Sequence, residues 1–397
     1  MRKPPGTQRS DRNGDPSAPY ARSVRSLLAG YWSFGQFWGV WVILVFEFQR
    51  HHGISNAQIG LDYTLLSAVA LAVMLVGAPR LRSLPFSLTV PISLASMAIG
   101  TLAIAFLPGS TILIGFALLG VGNAMVDIFL NVAGHRTEVR THRPILQWMH
   151  ASYAFGGITG ALVAGGIRAA GIDFRVGLAY VAAAFALTTT WTAVVVPRER
   201  SPEGVQTLLS ISALVRSPAL LVPALVVLSA FLIEGSMDAW AGLYVREQLG
   251  GSATVAALAF VAFAGSIFVG RLFAGRVLFG IGKRTTIVVA GVGSLIGGMI
   301  AVAAGDPLVV GVGFLVLGFT LSAAAPAAFG LAGEASSDPT SAITAVTTVG
   351  YTGFVWSPPL LGWVAQTFSL RAAMGVIVIA TLGIIGGGLL APHDDLG

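Results

Sequence analysis

Residues 111–134 read TILIGFALLGVGNAMVDIFLNVAG, a stretch whose one charged side chain is Asp127. As a helix it extends about 36 Å at roughly 1.5 Å per residue, enough to cross about 30 Å of hydrocarbon. Pro108-Gly109 breaks the chain before it, and a basic loop at 135–144 closes it. An aqueous surface cannot be built from such a segment. It predicts a helix in lipid.

Worked outward, the same reading divides the chain into twelve apolar spans near 27–48, 57–79, 86–107, 111–134, 147–170, 174–197, 218–241, 253–280, 284–304, 307–332, 340–366 and 370–391. Asp306-Pro307 is another turn signal, and Arg198-Glu199-Arg200-Ser201-Pro202 is too polar to bury. Apolar residues make up 55% of the chain and charged residues 10%, against roughly 25% charged in soluble domains. The net charge of +6 does not indicate nucleic acid, because the basic residues fall in short loops between spans. Cysteine is absent, which excludes disulfides and thiolate metal sites. No metal or cofactor is implied.

Eighteen of the 23 Lys and Arg residues lie on the side of the N-terminus, which predicts both termini in the cytoplasm of a multi-pass protein of the cell membrane. That count places Arg271, Arg276, Lys283 and Arg284 in inner segments and Arg50, Arg168 and Arg246 outside. Residues 1–20, rich in Pro, Gly, Arg and Asp, read as a disordered cytoplasmic tail. The expected organisation is an all-α membrane protein of two six-helix bundles, 21–197 and 218–397, joined by a central cytoplasmic loop at 198–217. Ser152-Tyr-Ala-Phe-Gly156 in span five and Gly350-Tyr-Thr-Gly353-Phe in span eleven echo each other at equivalent places. Such parallel repeats belong to transporters whose halves rock about a central site.

An ionisable group at mid-bilayer costs several kcal/mol, so those present are expected to face the interior and mark a pathway. Asn123, Asp127 and Asn131 recur every four residues and share one face of span four. Gln147, His150 and Tyr153 recur every three in span five. Asp127 and His150 lie at similar depth and are expected to meet and trade a proton. Glu234 and Asp238 share one face of span seven in its outer half; Glu234 is expected to assist coupling. Gln36 and Trp41 in span one, Asn123, Asn131, Asp238 and Tyr351 are the expected substrate contacts. Hydrogen bonds would orient a moderately polar organic solute, and rings such as Phe354 would supply contact area.

Ser55-Asn-Ala-Gln58-Ile-Gly60 and Gly275-Arg276-Val-Leu-Phe279-Gly280-Ile-Gly282-Lys283-Arg284 resemble the second-helix opening and the inner-loop motif of the major facilitator superfamily. Asp127-x-x-x-Asn131 followed by His150-Ala-Ser-Tyr-Ala-Phe-Gly156 resembles, more narrowly, its fucose/proton symporter branch and related uncharacterised inner-membrane members. The resemblance implies a secondary transporter moving a small organic solute, with Asp127 in the place of that branch's fourth-helix carboxylate. It also implies an inner-loop role for Gly275, Arg276, Gly282, Lys283 and Arg284. The family's loop acid is Phe279 here and Leu81 in the first half, so neither loop is expected to form a carboxylate-centred lock.

Partners are then a small solute, protons and the bilayer, for a monomer. Span five carries Gly156, Gly160 and Gly165-Gly166, loosely similar to the glycine motif of drug/proton antiporters, so export of a drug or secondary metabolite stays open beside uptake. A transport-incompetent sensor or assembly protein of the same fold is the alternative from another class. No P-loop, His-Glu-x-x-His or Gly-x-Ser-x-Gly element is present, and an enzyme is not expected.

Overall fold

A computed structural model of the chain describes residues 18–81, 83–200 and 218–393. Most of the expected tail and of the expected central loop lies outside the described residues. Twelve long helices carry the fold: α1 (Ala18–His52), α2 (Asn56–Gly77), α3 (Phe86–Phe106), α4 (Gly109–Thr141), α5 (Ile145–Ala169) and α6 (Phe174–Val195), then α7 (Leu221–Gln248), α8 (Ala253–Ile281), α9 (Lys283–Ala303), α10 (Pro307–Glu334), α11 (Pro339–Thr367) and α12 (Leu370–Leu390). Among the described residues the sole β pairing is an isolated bridge between Pro85 and Arg200.

Ten of the twelve are apolar enough by composition to cross a membrane. The two that fall short, α5 and α11, are the helices that hold the echoed Tyr-Gly segments and more polar side chains. They pack against other helices rather than standing alone in lipid: α5 crosses α1, and α11 crosses α7. At the first crossing a methyl group on Gly35 would overlap the Tyr153 carbonyl, so the two backbones touch.

The pairings repeat with a shift of six helices. The α1–α5, α2–α4 and α3–α6 contacts have counterparts in α7–α11, α8–α10 and α9–α12. Contacts between the first six and last six helices run through α1–α7, α2–α11 and α5–α8, and the last two exchange under the same shift. A pseudo-two-fold axis therefore passes between α1 and α7.

The ends of the helices follow local chemistry. Ser55 caps α2 by accepting from the Gln58 amide, and Asp306 caps α10 ahead of Pro307. The segment expected as a basic loop at 135–144 is helical as far as Thr141, so α4 carries Arg136 and Arg140 beyond the apolar run. Three π turns interrupt the α pattern, at Val73–Gly77, Val126–Leu130 and Tyr244–Gln248.

Candidate functional site

At the end of the molecule away from the two termini, the two halves are tied to each other. Glu47 of α1, 8% exposed, accepts from the Arg246 guanidinium of α7 and lies 3.3 Å from Arg168 Nε of α5. The Arg246 guanidinium also lies 4.6 Å from the Phe46 ring. Asn56 donates to Glu247 at 3.1 Å, and the Ala57 amide reaches Gln366 of α11. Just below, Trp41 Nε1 donates to the Tyr63 hydroxyl at 2.8 Å, and that hydroxyl donates to the Ala239 carbonyl at 3.3 Å. A methyl on Gly242 would overlap the Val42 carbonyl, so α1 and α7 meet backbone to backbone.

Sequence spacing does not reveal this cluster, because bonded members are as far as 309 residues apart. Glu47, Arg168 and Arg246 read in sequence as ordinary boundary charges. One signal was present: Arg168 and Arg246 are among the few bases on the side opposite the N-terminus.

Deeper in, Asp127 sits in the π turn of α4. Such a turn leaves a backbone carbonyl without its regular partner. Asn131 supplies one, its Nδ2 donating to the Asp127 carbonyl at 2.6 Å. Asn123 Nδ2 lies 3.5 Å from the Asp127 carboxylate. The stripe expected from the α period is thus altered: Asn131 is engaged with backbone, and Asn123 alone faces the acid.

The Asp127 carboxylate forms no ion pair among the described residues. It lies within electrostatic reach of three tyrosines on three other helices: Tyr31 of α1, Tyr153 of α5 and Tyr351 of α11. Tyr31 is 2% exposed and its hydroxyl has no hydrogen-bond partner of good geometry, although the Asn131 amide is beside it. Tyr153 packs on Phe34 at 5.4 Å, and Tyr351 packs on Phe231 and Phe354 at 5.8 and 6.1 Å. Asp238 and Glu234 of α7 also come within electrostatic reach of Tyr153.

The expected pair of Asp127 and His150 is not formed. His150 packs edge-on to Tyr31 at 5.5 Å, and the charge it feels is that of Arg271. Arg271 lies on α8, within the expected span 253–280, and its Nη2 is 2.9 Å from Glu234 Oε1. Glu234 is half-buried with that partner, and Asp238 is half-buried one turn further on.

Two of the expected substrate contacts are packed between helices in this structure. Trp41, 1% exposed, belongs to the seal between the halves, packed on Phe48 and Phe116. Gln36 is fully buried between α1 and α5, its Nε2 2.5 Å from Thr159 Oγ1. Both helices approach so closely there that a solute cannot intervene.

At the end that carries the termini, the ties found among the described residues run within each half. Gly282, at φ 78°, turns α8 directly into α9. Lys283 Nζ then lies 2.5 Å from Glu334 Oε1 at the end of α10. Arg284 Nη1 reaches the His393 ring at 2.7 Å and its Nη2 donates to the Leu389 carbonyl. Arg276 lies against Phe273, and Gly275 faces open space. The carboxylate that meets this loop comes from α10, as Glu334, and not from the loop's own acid position, which is Phe279. In the first half, Arg80 bonds the Val76 carbonyl, while Arg136 Nε pairs with Glu199 at 3.3 Å and the Phe86 amide donates to the Glu199 carbonyl.

Known proteins agree with this architecture. The chain is 24% identical over 375 residues to the uncharacterized transporter y4wD of Sinorhizobium fredii, covering 89% of this chain and 94% of that one. It is 24% identical over 361 residues to the membrane protein MosC of Rhizobium meliloti, covering 87% and 84%. An uncharacterized MFS-type transporter of Yersinia pestis matches at 24% over 69% of this chain and 71% of its own length. Among solved structures, the nucleoside transporter NupG superposes with a TM-score of 0.72 at 13% identity, covering 94% of this chain and 98% of that one. A bacterial homolog of the human lysosomal transporter Spinster gives 0.72 at 13%, covering 94% and 97%. The sequence model of the Major Facilitator Superfamily matches residues 26–358, and the chain belongs to that superfamily.

Proposed function

We propose that the chain is a proton-coupled secondary transporter that carries a small organic solute across the cytoplasmic membrane by alternating access. The observation that carries this reading is Asp127: a carboxylate inside a membrane helix, held in a π turn, without an ion-pair partner among the described residues. A buried acid with no cation beside it is costly to keep ionised. Loading and unloading a proton relieves that cost and ties it to a conformational change. Glu234 is held by Arg271 and His150 by Tyr31, so both are assigned supporting places around this acid.

In this reading the bundles 21–197 and 218–397 are the rocking bodies, both termini are cytoplasmic, and a single copy suffices. The far-end ties between halves support an inward-facing state, the state named for the Spinster homolog of similar fold. Asp127→Asn keeps size and hydrogen bonding and removes titration. In proteoliposomes with an imposed proton gradient, solute accumulation is expected to disappear while exchange without net proton movement survives. An Asn variant that accumulates solute with the pH dependence of the parent would remove Asp127 from coupling.

A further inference from the structure

We infer that the far-end cavity between Arg50, Arg168 and Arg246 binds a phosphate group, and that the bound anion clamps this end shut. The clamping rests on the alternating-access reading; the site itself does not, and neither depends on the coupling role of Asp127.

The cavity lies beside the ion pair that joins the halves. Its volume is about 290 Å³, and the titratable groups that line it are Glu47, Arg50 and His51 of α1, Arg168 of α5, Asp173 ahead of α6, and Arg246 of α7. Drug-sized organic ligands occupy pockets of roughly 300–1,000 Å³, so a space at the foot of that range suits a compact ion with its water.

Charge decides which ion. Asp173 is engaged by Arg175, whose Nε and Nη2 lie 3.0 and 2.9 Å from its two oxygens. Glu47 is then the carboxylate left to serve both Arg168 and Arg246, and Arg50 forms no ion pair among the described residues. Three guanidiniums against one available carboxylate leave the lining positive before His51 is counted. A cationic solute is repelled here, whereas an oxyanion meets donors from three helices.

The cations are also crowded. The Arg246 and Arg50 guanidinium carbons lie 4.6 and 5.7 Å from the centre of one ring, that of Phe46. Arg246 Nε is buried without a hydrogen-bond acceptor, so Glu47 compensates that side chain incompletely. Of Arg50, Arg168, Arg175, Arg246 and Arg371, the bases on the side opposite the N-terminus, three line this one cavity. The asymmetry that orients the chain does not call for bases there. Guanidinium forks match the paired oxygens of a phosphate, which a halide lacks, and a phosphate has oxygens enough for three such partners.

The three arginines belong to different halves. Arg50 and Arg168 move with the first six helices and Arg246 with the last six. An anion held by all three bridges the halves and loses a partner when the far end opens. It therefore binds the closed state better, and by that difference it shifts the population toward closure.

The test uses Ala239→Cys, at a position 2% exposed in the sealed state, whose labelling by maleimide reads far-end opening in the full-length chain. In dodecyl maltoside, which carries no phosphate, inorganic phosphate should slow labelling saturably, by about tenfold at ten times its Kd. Potassium chloride at equal ionic strength should not. Arg50 is exposed and outside any ion pair, so its replacement leaves the fold intact. Arg50→Gln should raise the phosphate needed about tenfold, the scale of one charge-assisted hydrogen bond, and Arg50→Lys should recover part of the loss. Arg276→Gln, at the other end, should leave the response unchanged. Nanodiscs of phosphatidylglycerol separate the two sources of phosphate. Labelling already slow and insensitive to added phosphate marks a lipid headgroup as the occupant, and a response equal to that in detergent marks the free anion.

No slowing by phosphate in detergent, equal slowing by chloride, or a phosphate response unchanged in Arg50→Gln each overturns the inference. Calorimetry reads the same affinities without reference to opening. A chain that binds phosphate through Arg50 yet never labels at Ala239→Cys, even when Gly242→Val is added, keeps the site and refutes the rocking of the halves, and with it the clamp.

Discussion

The two ends of the molecule are held by different kinds of bond. Away from the termini, hydrogen bonds, an ion pair and backbone contacts cross from the first six helices to the last six, through Glu47–Arg246, Tyr63–Ala239 and Val42–Gly242. At the end bearing the termini, Arg136–Glu199 stays in the first half, while Lys283–Glu334 and Arg284–His393 stay in the second. A tie across the halves must break whenever that end opens. A tie within a half moves as part of one body. The same chemistry, guanidinium or ammonium on carboxylate, therefore resists rocking at one end and only shapes the rocking bodies at the other.

The contrast breaks most completely at Gly242. A side chain there has no room against the Val42 carbonyl, and backbone cannot yield as a flexible side chain can. Gly242→Val is expected to hold the far end open and abolish transport while leaving each half folded. The chain has no native cysteine, so Ala239→Cys, 2% exposed in the sealed state, is a clean reporter. Labelling by an impermeant maleimide from outside should become fast in the Gly242→Val background. If it stays slow, the backbone contact is not what closes this end.

Glu47→Gln comes next. Removing one partner of a buried pair costs about 3–5 kcal/mol where it leaves charge uncompensated. Here two arginines share the carboxylate, and the exposure of Arg168 lets water screen part of the loss. A shift of roughly 2 kcal/mol toward opening is the expected scale, about thirtyfold in the open population. The same Cys reporter reads it. No change in labelling would demote the cluster from a latch to a surface ornament of charge.

The fold was largely legible because each crossing of lipid demands a long apolar run, and ten of the twelve helices are such runs, set off by Pro, Gly and Asp breaks. The central acids were legible for the complementary reason: Asp127, Glu234 and Asp238 are rare charges inside those runs. What the sequence concealed is who meets whom. The π turn at Val126–Leu130 shifts the register, which an assumed α period misses, and so Asn131 turned out to serve its own backbone. His150 packs on Tyr31, where helices α1 and α5 cross closely, a fact of packing rather than of spacing. Arg271, already inside the expected span 253–280, showed no sign in the sequence that its partner is Glu234 of α7. The far-end latch could not be read from a chain in which Glu47 and Arg246 are remote.

The smallest effect is expected where a tie stays within one half. Glu199 accepts from Arg136 at 3.3 Å, and its carboxyl is held below the usual glutamate range by the Tyr20 hydroxyl and the Arg136 guanidinium. A depressed carboxyl favours the folded, ionised form. Its contribution is present in full above the ordinary glutamate range, near pH 4.3, and is lost as pH falls through the lower value of the folded state. Both partners are about a third or more exposed, so water screens the pair and the loss is slight. Glu199→Gln should accordingly lower thermal stability a little at neutral pH, with the difference from the parent shrinking as the pH drops below about 4. Labelling of Ala239→Cys should be unchanged by Glu199→Gln, because Arg136 and Glu199 travel together. A far-end response as large as that of Glu47→Gln would mean that this tie, too, gates the rocking, and the distinction between the two ends would fall.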